Sequence, residues 1–129
     1  MEIPQGTSPE DLRARKKIIA DFYANWCAEH PDKKVWNKSL NAYIHVKYQS
    51  LNETRGQAST SYESTKAVLR LTEILEEATV AQIKPTKKND QNQKAYDKMV
   101  FLYYQGIRLL VGHQPSKDEY VQYCITAKK

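Results

Sequence analysis

The clearest pattern in the chain is an alternation of apolar and polar positions in its last third. The segments Lys98–Tyr104 and Ile107–His113 flank Gln105-Gly106, a two-residue turn in which glycine can adopt the positive φ that a tight hairpin needs. This turn fixes a register with apolar partners on one face: Tyr104 with Ile107, Leu102 with Leu109, and Val100 with Val111. The pattern therefore predicts an antiparallel hairpin with one face turned to a core.

A third strand is predicted over Tyr120–Thr126, after a turn around Pro115, Ser116 and Lys117. The register that we expect continues the apolar face: Val121 opposite Val111, Tyr123 opposite Leu109, and Ile125 opposite Ile107. The three strands then form a meander with one apolar side.

The first third of the chain has the period of a helix. Ser8 is suited to the N-cap and Pro9 to the first helical position, while His30-Pro31 ends the helix near Glu29. The apolar residues that recur on one helix face are Leu12, Ile19, Phe22 and Trp26.

Between these regions the period changes twice. Alternation from Ala42 to Tyr48 predicts a strand, and the polar run Asn52–Ser59, which contains Gly56, predicts a loop. Thr60 and Glu63 match a capping box, so a second helix is expected from there to about residue 79.

A short strand is expected over Val80–Ile83, and the apolar-free segment Lys84–Lys94 is expected to be a solvated loop. The predicted fold is therefore α+β, with two helices packed on one face of a mainly antiparallel sheet that ends in the three-stranded meander. We expect residues 1–7 to form a flexible tail and residues 8–129 a single domain.

Composition narrows the class of protein. The chain of 129 residues has a net charge of +5, two cysteines and no apolar run long enough to cross a membrane, and its first residues lack the basic start and apolar run of a secretory signal. We therefore expect a cytoplasmic protein with free thiols and no membrane partner. The positive charge is compatible with a nucleic-acid partner but does not require one.

No motif points to a metal or cofactor. The three histidines have no metal-ligand spacing, Cys27 and Cys124 are far apart, and neither a glycine-rich phosphate loop nor a Gly-x-Ser-x-Gly turn is present. We predict no metal site and no cofactor.

The second face of the meander is the most informative feature for function. On the expected register this face carries Phe101, Tyr103, Arg108, Leu110, Tyr120, Gln122 and Cys124. Aromatic side chains beside an arginine are what proteins use to stack bases and to hold phosphate. Alternatively, the first helix or the Lys84–Lys94 segment covers this face, and its residues form a second small core.

His45 and Lys47 lie on the polar side of the predicted first strand. A histidine and a lysine can act as base and charge stabiliser in metal-free RNA cleavage, with Arg108 and His113 as further candidates. A solvated strand face explains the same pair, so the sequence favours a non-catalytic role.

Four runs carry a resemblance to known proteins: NKSLNAYIHVKYQSLNETRGQAS, STKAVLRLTEILEEA, GIRLLVG and YVQYCIT. Over Asn37–Ala127 the chain resembles a family of small uncharacterised bacterial proteins. More distantly, it is similar to accessory domains of the large polyvalent proteins of phages and conjugative elements. Barnase- and colicin-like ribonuclease folds also place helices before an antiparallel meander, but their catalytic motifs have no counterpart here.

Two functions follow as hypotheses. The first is a nucleic-acid-binding module of a bacterial mobile element, either non-catalytic or a relic of a ribonuclease, which binds RNA or another single strand. Its candidate residues are Phe101, Tyr103, Arg108, Tyr120 and Gln122. The second is a non-enzymatic interaction module, in which the same face binds a protein partner or a second copy of the chain.

Overall fold

A computed structural model describes residues 2–86 and 95–127 of the chain. This part contains four helices and six strands, so the predicted α+β class is confirmed. The helices are α1 (Pro9–Glu29), α2 (Tyr48–Ala58), α3 (Tyr62–Val68) and α4 (Leu71–Glu77). The strands are β1 (Lys34–Asn37), β2 (Ala42–His45), β3 (Thr79–Pro85), β4 (Lys98–Tyr104), β5 (Ile107–Gln114) and β6 (Glu119–Ala127).

All six strands form one sheet in the order β1-β2-β6-β5-β4-β3. Only β2 and β6 pair in parallel, over two residues; the other neighbours are antiparallel. The β4–β5 hairpin has the predicted register, in which Leu102 lies opposite Leu109 and Val100 opposite Val111. Gly106 has the positive φ that the turn requires, 79°.

The predicted register of β6 is wrong. Val121 lies opposite Gly112 rather than Val111, one residue from the expected pairing, so its side chain and that of Tyr123 lie on the second face. A bulge opposite Leu110 and Val111 then restores the alternation, and Ile125, opposite Leu109, again lies in the main core.

The main core lies on the face of the sheet formed by Val100, Leu102, Leu109 and Val111, here called the inner face. Helix α1 contributes Ile19, Tyr23 and Trp26 to this core, and α3 and α4 contribute Val68, Leu71, Ile74 and Leu75. The opposite side of the sheet is the outer face. Since α1 packs on the inner face, it does not cover the outer one.

The middle of the chain differs most from expectation. Strand β2 ends at His45, and the predicted loop Asn52–Ser59 is wrong because most of it belongs to α2. Helix α2 lies along β6 and buries polar residues there: the Thr54 hydroxyl donates to the Tyr123 carbonyl (3.4 Å) and accepts from Gln122 (2.7 Å).

The second predicted helix is divided into α3 and α4. Its N-cap is Ser61, whose hydroxyl accepts from the Ser64 amide, rather than Thr60. The expected short strand over Val80–Ile83 is confirmed as part of β3. Most of the expected loop, residues 87–94, lies outside the described residues.

The β1–β2 hairpin reaches back to the start of β3, at the other edge of the sheet. The side-chain amide of Asn37 donates to the backbone carbonyls of Leu75 (2.8 Å) and Ala78 (2.9 Å). The backbone amide of Val80 donates to the Ser39 hydroxyl (2.9 Å). The sheet therefore curves around the core, and hydrogen bonds join its first hairpin to the start of β3.

Arg15 is fully buried although it carries a charge. Its Nε donates to the Ser59 carbonyl (2.7 Å), and its Nη1 donates to the carbonyls of Pro4 and Gly6 (2.8 Å each). Three backbone carbonyls thus satisfy most of the guanidinium. The predicted flexibility of residues 1–7 stays a prediction.

Candidate nucleic-acid interface

One half of the outer face is basic and aromatic. Phe101 of β4 has the Lys84 ammonium 5.4 Å and the Arg108 guanidinium carbon 6.0 Å from its ring centroid. These cations come from β3 and β5, the two strands that flank β4. Within the described residues neither cation forms an ion pair with a carboxylate. We call Lys84, Phe101, Tyr103 and Arg108 the basic–aromatic face.

Tyr103 stands at the end of this surface and is 46% exposed. It lies opposite Arg108 in the β4–β5 pairing, beside the Gln105–Gly106 turn. Of the predicted nucleic-acid contacts, the structure therefore brings Phe101, Tyr103 and Arg108 together on one side of the sheet.

The other half of the outer face forms a second small core, as in the alternative interpretation of the sequence. Its buried residues are Tyr96, Met99, Leu110, Val121, Tyr123 and Cys124. The Tyr96 ring lies on Gly112, and its hydroxyl donates to the side chain of Gln49 in α2 (2.6 Å). Burial raises the pKa of the Cys124 thiol to about 12, so this thiol stays protonated.

Gln122 and Tyr120 do not lie with the basic–aromatic face. Gln122 is fully buried on the inner face, where its side-chain oxygen accepts from the Tyr23 hydroxyl (2.7 Å). Tyr120 packs against the main core and its ring contacts His113 (centroids 4.9 Å apart). The shifted register of β6 causes both differences, because each one-residue shift exchanges the two faces.

His45 and Lys47 come together on a third residue, Glu119 at the start of β6. The His45 Nε2 is 3.4 Å and the Lys47 Nζ 2.8 Å from its carboxylate, and Lys47 also donates to Gln114 (3.1 Å). Burial lowers the pKa of His45, and the lysine lowers that of Glu119. The ring is therefore neutral at pH 7, while the carboxylate already neutralises the lysine.

The other proposed catalytic partners lie elsewhere. Arg108 pairs with Thr126, five residues along β6 from the position opposite His45, or about 17 Å at ~3.4 Å per residue. His113 projects from the inner face, whereas His45 and Glu119 meet on the outer face. The structure thus gives His45 a carboxylate neighbour and brings neither Arg108 nor His113 to it.

Both ring nitrogens of His113 contact a carboxylate, Asp97 through Nδ1 and Asp118 through Nε2, each at 2.8 Å. Burial by itself lowers the pKa of this histidine, but the hydrogen bonds to Asp118 and Asp97 outweigh burial, and the net shift is upward. The ring is 11% exposed. It links the segment before β4 to the turn between β5 and β6.

Sequence reasoning missed an exposed aromatic pair on the β1–β2 hairpin. Trp36 and Tyr43 lie opposite each other and are 44% and 46% exposed. Their rings meet edge to face at 5.1 Å, with the Lys34 ammonium 4.5 Å from the Tyr43 centroid. Their alternation with the buried Val35 and Ile44 was the available signal.

The described residues contain no group of three metal-ligating side chains and no helix that is long and apolar enough to cross a membrane. The described chain is thus a small α+β structure that carries a basic–aromatic face on one side of its sheet.

The family model of large polyvalent protein-associated domain 3 matches residues 14–102, more than half of the chain. The chain therefore belongs to this family of accessory domains. The match confirms the resemblance to accessory domains of polyvalent proteins that the sequence indicated. No curated protein and no solved structure matches the chain.

Proposed function

We propose that this accessory domain binds single-stranded nucleic acid, RNA in particular, through the basic–aromatic face and without catalysis. The observation that carries the proposal is Phe101, which has a cation from each flanking strand beside its ring. Every base has a flat π-face, so a partly open ring stacks bases with little sequence preference, and nearby unpaired cations attract the phosphates.

The charge distribution supports a binding role over cleavage. Lys84 and Arg108 have no carboxylate partner among the described residues, so their charge is available to a ligand. Lys47, in contrast, is engaged by Glu119 and Gln114 near the candidate base His45. The surface with free positive charge is thus separate from the histidine that would have to take up a proton.

The test is fluorescence anisotropy of a labelled single-stranded RNA of about 12 nucleotides, within the usual range of site sizes for such surfaces. Phe101→Leu keeps an apolar side chain but removes the ring. We expect it to weaken binding roughly 5- to 150-fold, since one stacked base is worth about 1–3 kcal/mol. Lys84→Ala should also make the logarithmic salt dependence shallower by about 0.7, the value for one phosphate contact on a single strand.

The matched control is Lys16→Ala, which removes one exposed positive charge from α1 on the other side of the sheet. This variant should bind RNA as the unmodified domain does. No binding at low salt, or equal loss from Lys16→Ala and Lys84→Ala, would contradict the proposal.

A second candidate, self-association or protein binding, is favoured by the Trp36–Tyr43 pair. Exposed tryptophan and tyrosine side chains are typical of protein interfaces. Sedimentation at increasing concentration tests the homodimer: a mass that doubles in the unmodified domain and stays monomeric in Trp36→Lys would establish it. A monomer at all concentrations would exclude a homodimer.

A further inference from the structure

A hollow opens on the outer face beside the Gln105–Gly106 turn. It has a volume of about 480 Å³ and is lined by Tyr103, Gly106, Arg108, Thr126 and Ala127. Sites that hold small molecules commonly have volumes of about 300–1,000 Å³. Gly106 lines the hollow without adding a side chain to it.

Arg108 gives this hollow an uncompensated positive charge. Its Nε is shielded from solvent and has no hydrogen-bond partner among the described residues. No hydrogen bond or ion pair of the described chain involves its terminal nitrogens either. The two terminal nitrogens can donate together to an anion with several oxygens, which is the geometry that a guanidinium favours.

The other walls of the hollow suit the rest of a nucleotide. The exposed ring of Tyr103 offers a flat surface opposite Arg108 in the strand pairing, and the side chain of Thr126, which pairs with Arg108 on β6, adds a hydroxyl. A guanidinium, a hydroxyl and an aromatic ring around one cavity match a phosphate, a sugar and a base.

We infer that this hollow binds one nucleoside phosphate, with the phosphate on Arg108 and the base on Tyr103. The ligand is a free nucleotide or one nucleotide of a bound strand. The second source rests on the function proposed above, while binding of a free nucleotide does not.

The experiment is a titration of the ¹⁵N-labelled domain with adenosine monophosphate, cytidine monophosphate, adenosine and inorganic phosphate, followed by NMR. Both nucleotides should shift the amides of Gly106 and Thr126 in a saturable way. Adenosine and phosphate alone should each bind more weakly than either nucleotide.

Two variants test the assignment. Arg108→Gln should weaken nucleotide binding roughly 10- to 150-fold, since a hydrogen bond to a charged group is worth about 1.5–3 kcal/mol. Thr126→Val, which keeps the shape of the side chain, should weaken it less. The control is Lys66→Ala, which lies in a neighbouring hollow on the other side of the same turn and should leave binding unchanged. An unchanged amide spectrum away from the turn shows that each variant folds.

The outcomes separate this inference from the proposed function. RNA binding that depends on Phe101 and Lys84, with no saturable shift of Gly106 and Thr126 by either nucleotide, would overturn the nucleotide site and leave the proposed function intact. Saturable nucleotide binding at Gly106 without RNA binding would establish the site and refute the proposed function. If Arg108→Gln binds nucleotides with the same affinity as the unmodified domain, the inference is overturned, whether or not the domain binds RNA.

Discussion

Replacing Gly112 with alanine should destabilise the domain through a single aromatic ring. A Cβ at this position would lie 2.6–2.9 Å from the Cγ and Cδ atoms of Tyr96, whereas ordinary contacts are 3.4–4 Å. The ring must therefore move by about 1 Å, away from its edge-to-face contact with Tyr123 and its hydrogen bond with Gln49.

The magnitude follows from three contributions. Overpacking costs about 1–3 kcal/mol, and a weakened hydrogen bond costs up to about 1.5 kcal/mol more. The reduced entropy of the unfolded chain returns about 0.4–1 kcal/mol. We expect a net loss of about 2 kcal/mol for Gly112→Ala, measured by urea denaturation monitored by circular dichroism.

Two further variants make this test specific. Gly56→Ala in α2 has no atom within 4 Å of the added Cβ, so it should stabilise the domain by about 0.5–1 kcal/mol. In a Tyr96→Ala background the cost of Gly112→Ala should vanish, because the ring that it contacts is gone. A neutral Gly112→Ala, or a cost that persists without Tyr96, would refute the reasoning.

The remaining predictions concern the histidines. The pKa of His113 is raised by folding, so its protonated form stabilises the domain fully below the unfolded value of about 6.5, and this stability is lost as the pH rises through the raised value. The urea concentration at the unfolding midpoint should therefore be lower at about pH 8 than at about pH 6 in the unmodified domain. In His113→Gln this decrease should be absent. Folding lowers the pKa of His45, so the contribution of this histidine to stability rises with pH. His45→Gln removes that rise and should make the decrease caused by His113 steeper. We expect no cleavage of labelled RNA in the presence of chelator; cleavage that disappears in His45→Ala would show instead that His45 acts as the base.

Local signals predicted the elements that are determined locally. Ser8 accepts from the Asp11 amide, and Pro9 begins α1, as their residue types indicate. The Gln105–Gly106 turn fixed the pairing of β4 with β5 without help from distant residues. In both places the relevant contacts join residues that are close in sequence.

The elements that the sequence did not predict depend on distant contacts. Helix α2 is mostly polar, and Thr54 becomes satisfied only through Gln122 and Tyr123, which lie far along the chain. The same contacts place Gln122 in the core and accompany the bulge in β6. Periodicity reports only which residues are apolar, so it could not show that a buried glutamine would face Tyr23.

The sequence placed a candidate site residue correctly only where it also predicted the register of the strand that carries this residue. Phe101, Tyr103 and Arg108 belong to the hairpin with the correct register and lie together. Tyr120 and Gln122 belong to the strand with the shifted register and lie elsewhere. The position of Lys84 beside Phe101 was not predicted, because nothing in the sequence indicated that β3 pairs with β4.

The buried Arg15 has a consequence for how the domain responds to acid. Three backbone carbonyls hold its guanidinium, and a backbone carbonyl does not titrate. The contact of His113 with Asp97, in contrast, needs an ionised carboxylate and weakens once that group is protonated. Acid should therefore loosen the end of the sheet near Asp97 while Pro4 and Gly6 remain attached to Arg15, so that the molecule opens at one end before the other.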